Sequence, residues 1–364
     1  SAASDVYKRQ DCKSQQPPAP SPATESVKPT PTSPVLSGVL NALRGDPCLA
    51  VFDAGARWTV VTWGEGPVVS GPHQWRRKAR GLLTGSTPAP HLPYSGGLVG
   101  WLGYEAGGSV ERMPEPQGPR HAPDLLLWRT EGGLCLDRQT GQWHIGGSTG
   151  FSQRAQEALA AASRPLLPHT ASGPAAVPAE AASTYTDGVR AILAAIRAGD
   201  VYQVCLAWEQ VIAAMPDPLA SWLLLRQRNP ALRGAYLRHG PTTVLSNSPE
   251  LFLQIDRSGD TLTAESVPIK GTCRHAEGSA GRLALWESDK ERAELTMIVD
   301  LVRNDLGRVS RPGSVRAAPR TLRRCGDLLH AEQHVRGILE PGLDAFDAVA
   351  VSYTHLRAHE TTDN

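Results

Sequence analysis

Pro268-Ile269-Lys270-Gly271-Thr272, followed by Lys290 to Leu306 (KERAELTMIVDLVRNDL), is the stretch on which the fold turns. The first run reads as a strand leading into a tight turn. Gly271 lets a ligand approach the backbone closely, and Thr272 adds a hydroxyl. A lysine held in a low-dielectric cleft can lose its proton near neutral pH and act as nucleophile or base. Most lysines are solvated surface groups, and spacing alone leaves both readings of Lys270 open. The second run predicts a helix that starts near Glu287. Glu287, Glu291, Glu294, Ile298, Leu301 and Asp305 are separated by 4, 3, 4, 3 and 4 residues and so line one stripe. Glu294 falls where acidic residues give way to apolar ones. A carboxylate at such a half-buried place needs a cation, a metal or a proton; a salt bridge to Arg292 or Arg303 is the plain structural alternative. Asn304 and Gly307 are stop signals, so the helix should end near Leu306.

Outward from this stretch the pattern is strand, turn, strand. Thr243–Ser246 leads to the turn Asn247-Ser248-Pro249, then come Leu251–Ile255 and Thr261–Val267. Glu250 stands at a strand start, where partial burial can raise a carboxyl pKa and make a general acid; a turn carboxylate accepting backbone hydrogen bonds is the alternative. Upstream, Val189, Ile192, Leu193 and Ile196 recur at helical spacing, with Thr184 or Thr186 as cap and Gly199 at the end. A strand is predicted over Val201–Val211, with Tyr202, Val204, Leu206 and Trp208 on one face. From Cys48 to Ile145 short apolar runs alternate with Gly and Pro. The Gly-rich run from Gly96 to Glu105 has neither the Walker lysine nor the dinucleotide-binding spacing, and reads as close backbone packing in a sheet. His330 and His334 are spaced as a helical metal pair would be, but no third ligand joins them. Regular βαβ alternation is absent. The expected class is α+β, with large, mainly antiparallel sheets and flanking helices.

The 364 residues carry a net charge of +1, with 40% hydrophobic and 20% charged residues. That profile suits a globular chain and gives no electrostatic reason to expect nucleic acid or an anionic membrane as partner. No apolar run approaches the roughly 18 residues of a membrane span. The six cysteines are scattered without a C-x-x-C pair, which fits a reducing, cytoplasmic setting. Residues 1–10 and 351–364 resemble non-native adapter sequence and are set aside. Residues 11–34 are a Pro-rich linker, residues 35–165 a first region, 166–182 an Ala/Pro-rich connection, and 183–350 a second region.

Four separated segments, in order, resemble the chorismate-utilising enzymes, the anthranilate and aminodeoxychorismate synthases. They are Gly199-Asp200-Val201-Tyr202-Gln203-Val204, Ser248-Pro249-Glu250-Leu251-Phe252, the PIKGT run with its acidic helix, and His330 to Leu339. The Gly96–Glu105 run adds modest support. In that family a lysine at the centre of PIKGT is typical of component I of aminodeoxychorismate synthase, and anthranilate synthases usually carry alanine. The resemblance implies the component I fold, with 183–350 as part of its chorismate-binding domain. It implies Glu294 as a ligand of Mg2+, Lys270 as the nucleophile that adds to the chorismate ring, and Glu250 as the acid that protonates the leaving C4 hydroxyl. Gly271 and Thr272 would line the substrate site, and His330 matches the active-site histidine. Ammonia, normally from a glutamine amidotransferase subunit or domain, would then replace the lysine and give 4-amino-4-deoxychorismate, on the way to p-aminobenzoate and folate.

Anthranilate synthase is the nearest rival and is disfavoured by Lys270. An isochorismate or salicylate synthase, whose lysine base lies near the strand occupied here by Gln203, is a further one. A non-catalytic chorismate-binding relative is favoured by three departures from the family pattern: Cys205 for the usual Asn, Leu295 for His or Asn, and Gln333 for Ser. The Gly-Ala-Pro-Lys segment, the substrate-carboxylate arginine and the second magnesium glutamate, which the family places after Leu339, are not in this sequence. The expectation is a fragment with little turnover alone.

Overall fold

Strands form where the apolar runs of the first region alternate with turn residues. They are β1 (Cys48–Ala54), β2 (Trp58–Trp63), β3 (Val68–Ser70), β4 (Gly97–Leu102), β5 (Leu125–Thr130), β6 (Gly132–Asp137) and β7 (Trp143–Gly147). Helices α1 (Pro34–Ala42), α2 (Trp75–Leu83) and α3 (Thr149–Ala161) accompany them. Next come α4 (Ala179–Ala198), α5 (Pro218–Arg228), β8 (Arg233–His239), β9 (Thr242–Ser248), β10 (Leu251–Ser258), β11 (Thr261–Val267) and β12 (Ile269–Arg274). The last elements are α6 (Gly278–Glu287), α7 (Asp289–Val309), β13 (Arg316–Ala317), β14 (Thr321–Cys325), β15 (Leu328–Glu332), β16 (Val335–Ile338) and α8 (Ala345–Leu356). This computed structural model describes residues 34–71, 73–83, 91–110, 122–162, 164–166, 179–201, 203–207 and 217–356. The 1–10 tail, residues 11–33 of the linker and residues 357–364 lie outside the described residues.

The strands make four sheets, ordered β7-β6-β2-β1-β8-β9, β3-β5-β4, β10-β11-β16-β13 and β12-β15-β14. Every paired strand is antiparallel to its neighbour. The α+β architecture with antiparallel sheets is therefore as expected. The connection at 166–182 does not divide the sheets, because β1 pairs with β8 from the far side of it.

Alternation along β1 explains why nearly every residue of it is buried. Leu49 and Val51 join Leu40 of α1, Phe151 of α3 and Trp222 of α5 on one face of the six-stranded sheet. Cys48 and Ala50 meet Leu126 and Trp128 of β5 on the other. A strand covered on both faces loses the apolar–polar alternation of a half-exposed one, and each fully buried Val or Leu contributes about 1.5–3 kcal/mol. Close packing also accounts for the Gly96–Glu105 run. A Cβ on Gly100 would lie 1.9 Å from the carbonyl oxygen of Leu126 on the paired strand β5. A second core lies in the C-terminal half, where Leu295, Val299 and Leu306 of α7 pack on Ala264, Ala331 and Val335.

Four local expectations need correction. The long helix starts at Asp289, because Ser288 caps it by accepting a hydrogen bond from the Glu291 N–H; Glu287 ends the preceding α6. It runs past Asn304 and Gly307 to Val309, since Leu306 and Val309 are buried in the core and burial outweighs the glycine's propensity. Val201 and residues 203–207 form no strand, and Tyr202 and 208–211 lie outside the described residues. Leu206 instead sits against Gly188 of α4. Finally, His330 and His334 are not on a helix: Gly326-Asp327 turns β14 into β15, and His334 sits between β15 and β16. Leu295 occupies the core, so its side chain answers to packing. Among the described residues Cys48, Cys135, Cys205, Cys273 and Cys325 are free thiols, and no helix is long and apolar enough to cross a membrane.

Candidate active site

The PIKGT run forms the start of β12, and its pairing with β15 slips between Lys270 and Thr272. Gly271 occupies the slip with φ +81°, a left-handed conformation that glycine adopts without steric cost. Beyond the slip Thr272 lies opposite His330, and the Thr272 hydroxyl is 3.0 Å from His330 Nδ1. His330 is buried. Burial pushes its pKa down, and the nearby Arg323 cation pushes the same way against the weaker pull of Glu332. The imidazole is thus held in its neutral form, able to bond the hydroxyl through one ring nitrogen.

Glu250 follows the β9–β10 turn. Its N–H donates to the Ser248 hydroxyl at 3.2 Å, and its Oε1 accepts from the Ile269 N–H at 3.1 Å. That second bond brings the carboxyl to the peptide that precedes Lys270. The surrounding walls push its pKa up; the Ile269 N–H and the Lys270 and Arg323 cations pull it partly back. Lys270 is half-buried, and its ammonium is near enough to act on Glu250 through space. Glu250 is an exposed turn carboxylate that accepts a backbone hydrogen bond, with its pKa pushed up from the ordinary value.

Helix α7 closes the other side. Glu291 packs on the Gly271 turn, where a Cβ would meet its Oε2 at 3.0 Å. Glu294 lies one turn further along and is about one-third exposed, with the exposed Lys290 ammonium 3.7 Å away, not the Arg292 or Arg303 expected as alternatives. Those two arginines pair instead with Asp289 and Asp300 on their own turns. The lower half of the same stripe, Ile298, Leu301 and Asp305, lines a cavity of about 220 Å3 whose wall also includes Glu250 and Phe252. Lys270, Thr272, His330 and Glu294 do not line that cavity. Two pairs result: Glu250 meets the backbone before Lys270, and Thr272 faces His330, while Lys270 lies opposite Ala331 on the other side of the Gly271 slip and Glu291 of α7 packs against that turn.

No group of three or more His, Cys, Asp or Glu side chains is gathered as a metal cluster among the described residues. Mg2+ needs only one or two protein carboxylates when water and substrate complete its shell. Glu294, a hard oxygen donor loosely held by a surface lysine, fits that requirement.

The sequence reading missed a charged network beside the site. Arg323 bonds Glu332, and its other arm donates to the Pro249 carbonyl at 2.9 Å. Glu332 and Glu265 flank His334, with Glu265 Oε1 2.6 Å from His334 Nδ1 and Glu332 Oε1 3.6 Å from Nε2. The signal was the hairpin in Thr321–Glu332, two short strands around Gly-Asp, which puts Arg323 opposite His330.

The chain is similar to several known proteins. One is the chloroplastic aminodeoxychorismate synthase of Arabidopsis thaliana, 34% identical over 254 residues, which cover 62% of this chain and 27% of that protein. Another is anthranilate synthase component 1 of Pseudomonas putida, 33% identical over 287 residues, which cover 71% of this chain and 57% of that protein. The chain therefore spans well under two thirds of the length of these relatives. Among solved structures, anthranilate synthase component I from Streptococcus pneumoniae TIGR4 superposes with a TM-score of 0.66 at 19% identity, over 84% of this chain and 78% of that one. The menaquinone-specific isochorismate synthase MenF of Escherichia coli shares the fold at a TM-score of 0.55 and 13% identity, over 88% of this chain and 71% of that one. The model of chorismate binding enzymes matches residues 54–354, and the chain belongs to that family.

Proposed function

We propose that this chain carries the chorismate-aminating site of an aminodeoxychorismate synthase component I, working in p-aminobenzoate and folate formation. The observation that supports it is Lys270 beside a carboxyl held toward its acid form, at a glycine turn that lets substrate reach the backbone. In this reading Glu250 gives its proton to the C4 hydroxyl of chorismate, which leaves as water. The Lys270 amine forms a C–N bond to the ring as that C–O bond breaks. Ammonia then bonds to C4, the bond to Lys270 breaks, and 4-amino-4-deoxychorismate departs. An allylic hydroxyl is a poor leaving group, so proton donation and covalent addition divide one hard displacement into two easier ones. Thr272 and His330, which share a hydrogen bond, would contact the substrate. Glu294 would hold Mg2+, which would neutralise a substrate carboxylate. A glutamine amidotransferase is the proposed ammonia source.

The test is to incubate the protein with chorismate and Mg2+, digest it and weigh the peptide that contains Lys270. A mass increase equal to chorismate less water, discharged by ammonium with release of 4-amino-4-deoxychorismate, is expected. Formation of anthranilate and pyruvate, undiminished in Lys270→Met, would establish the anthranilate synthase reaction instead.

A further inference from the structure

We infer that Arg323 is a positioning residue for the proposed site, tying the Pro249–Glu250 peptide to the strand that carries His330. The inference rests on that site reading, but its geometry stands independently. In the β12-β15-β14 sheet, Thr272, His330 and Arg323 occupy one transverse row, His330 in the middle. Residues directly opposite each other project from the same face. One arm of the guanidinium bonds Glu332, two residues along β15 on that face, and the other reaches across to the Pro249 carbonyl at 2.9 Å. The Arg323 side chain is 12% exposed and that of Glu332 is 6% exposed.

A planar fork suits this task and an ammonium does not. Two donors fixed in one plane hold two acceptors at a set separation. The acceptors here belong to β15 and to the β9–β10 turn, so the distance from Glu250 to His330 is set through Arg323. The charge acts as well as the shape. A fixed cation beside His330 opposes a second positive charge there, and beside Glu250 it favours the carboxylate, limiting how far burial can raise that acid. The charged groups around it are Glu332 on β15, Arg233 on β8, Glu250 and His330, with His334 and Glu265 beyond Glu332. Arg233 brings a second cation, and Glu332, Glu265 and Glu250 supply the carboxylates around the pair.

The experiment is histidine-selective 13C NMR, with backbone amide spectra, on the full chain and on Arg323→Met and Arg323→Lys. Neither readout needs turnover. Arg323→Met is expected to shift the His330 titration upward and to move the amide resonances of Glu250 and Ile269. Arg323→Lys is expected to keep the His330 titration near that of the parent while still moving those amides, since it keeps the charge and loses the fork. If Arg323→Met does not fold, the lysine variant alone decides: unmoved Glu250 and Ile269 amides would overturn the proposal. An unchanged His330 titration in a folded Arg323→Met would overturn it too. Absence of a Lys270 adduct, by contrast, counts against the amination reading and leaves this result standing.

Discussion

The Cβ that Gly271 lacks would lie 3.0 Å from the Glu291 carboxylate and 3.1 Å from the Glu291 Cβ, at a backbone φ of +81°. The turn after Lys270 and the acidic helix are therefore in contact with no room to spare. Gly271→Ala adds a left-handed alanine, about 1–2 kcal/mol, and close contacts with Leu285 Cδ1 at 2.7 Å and the Glu291 Cβ at 3.1 Å. A total loss near 2 kcal/mol is expected in urea denaturation, with α7 displaced from the turn.

Asp53 and Arg226 form a buried pair with two contacts of 2.9 Å, and the Thr59 hydroxyl completes the set. Arg138 is a second guanidinium 3.5 Å from the same carboxylate. Asp53→Asn leaves both cations buried without a full counter-charge. It should cost about 3–5 kcal/mol, measured as a fall in denaturation midpoint. Replacing Asp53 and Arg226 together by apolar residues should cost less than the single change.

His334 lies between Glu332, 3.6 Å from Nε2, and Glu265, hydrogen-bonded at 2.6 Å to Nδ1, and the two carboxylates hold its pKa above the ordinary histidine value despite opposing burial. A raised folded-state pKa contributes stability that is full below the unfolded value of about 6.5 and is lost as pH rises through the folded value. Melting temperature should therefore decline across that interval above pH 6.5. His334→Gln should remove this part of the decline, as followed by circular dichroism.

Glu250 is held toward its acid form, so formation of the Lys270 adduct should slow as pH rises past the raised Glu250 pKa. Glu250→Gln should lower the adduct rate by about two orders of magnitude or more and flatten that limb. A single-turnover pH series followed by mass spectrometry checks both.

The succession of strands from Thr243 to Val267 and the antiparallel class were legible because Gly and Pro mark strand ends, whereas Pro268 to Thr272 stood out through its family resemblance, spacing alone leaving Lys270 open. The α7 stripe was legible through its 4-3-4 spacing. Its start was misplaced because Ser288-Asp-Lys-Glu291, a capping pattern, was overlooked beside the louder acidic run. Over Val201 and residues 203–207, the described part of the predicted strand, the expectation failed on different grounds. Alternation marks a strand only where another edge pairs with it, and Leu206 packs on α4. The partnership of Arg323, Glu332 and His334 was not legible because it is set by register between strands, which single-strand patterns do not encode.

The β1–β8 pairing carries a consequence for how the molecule is made. Residues 55–232 intervene between the two strands. During synthesis β1, β2, β6 and β7 emerge before Arg233–His239, the strand that pairs with the outer edge of β1. Such a long loop closure is slow, and an uncovered edge invites foreign strands in the meantime. Assembly of the chain should therefore depend on chaperones that shield that edge, and an isolated piece ending before β8 should aggregate.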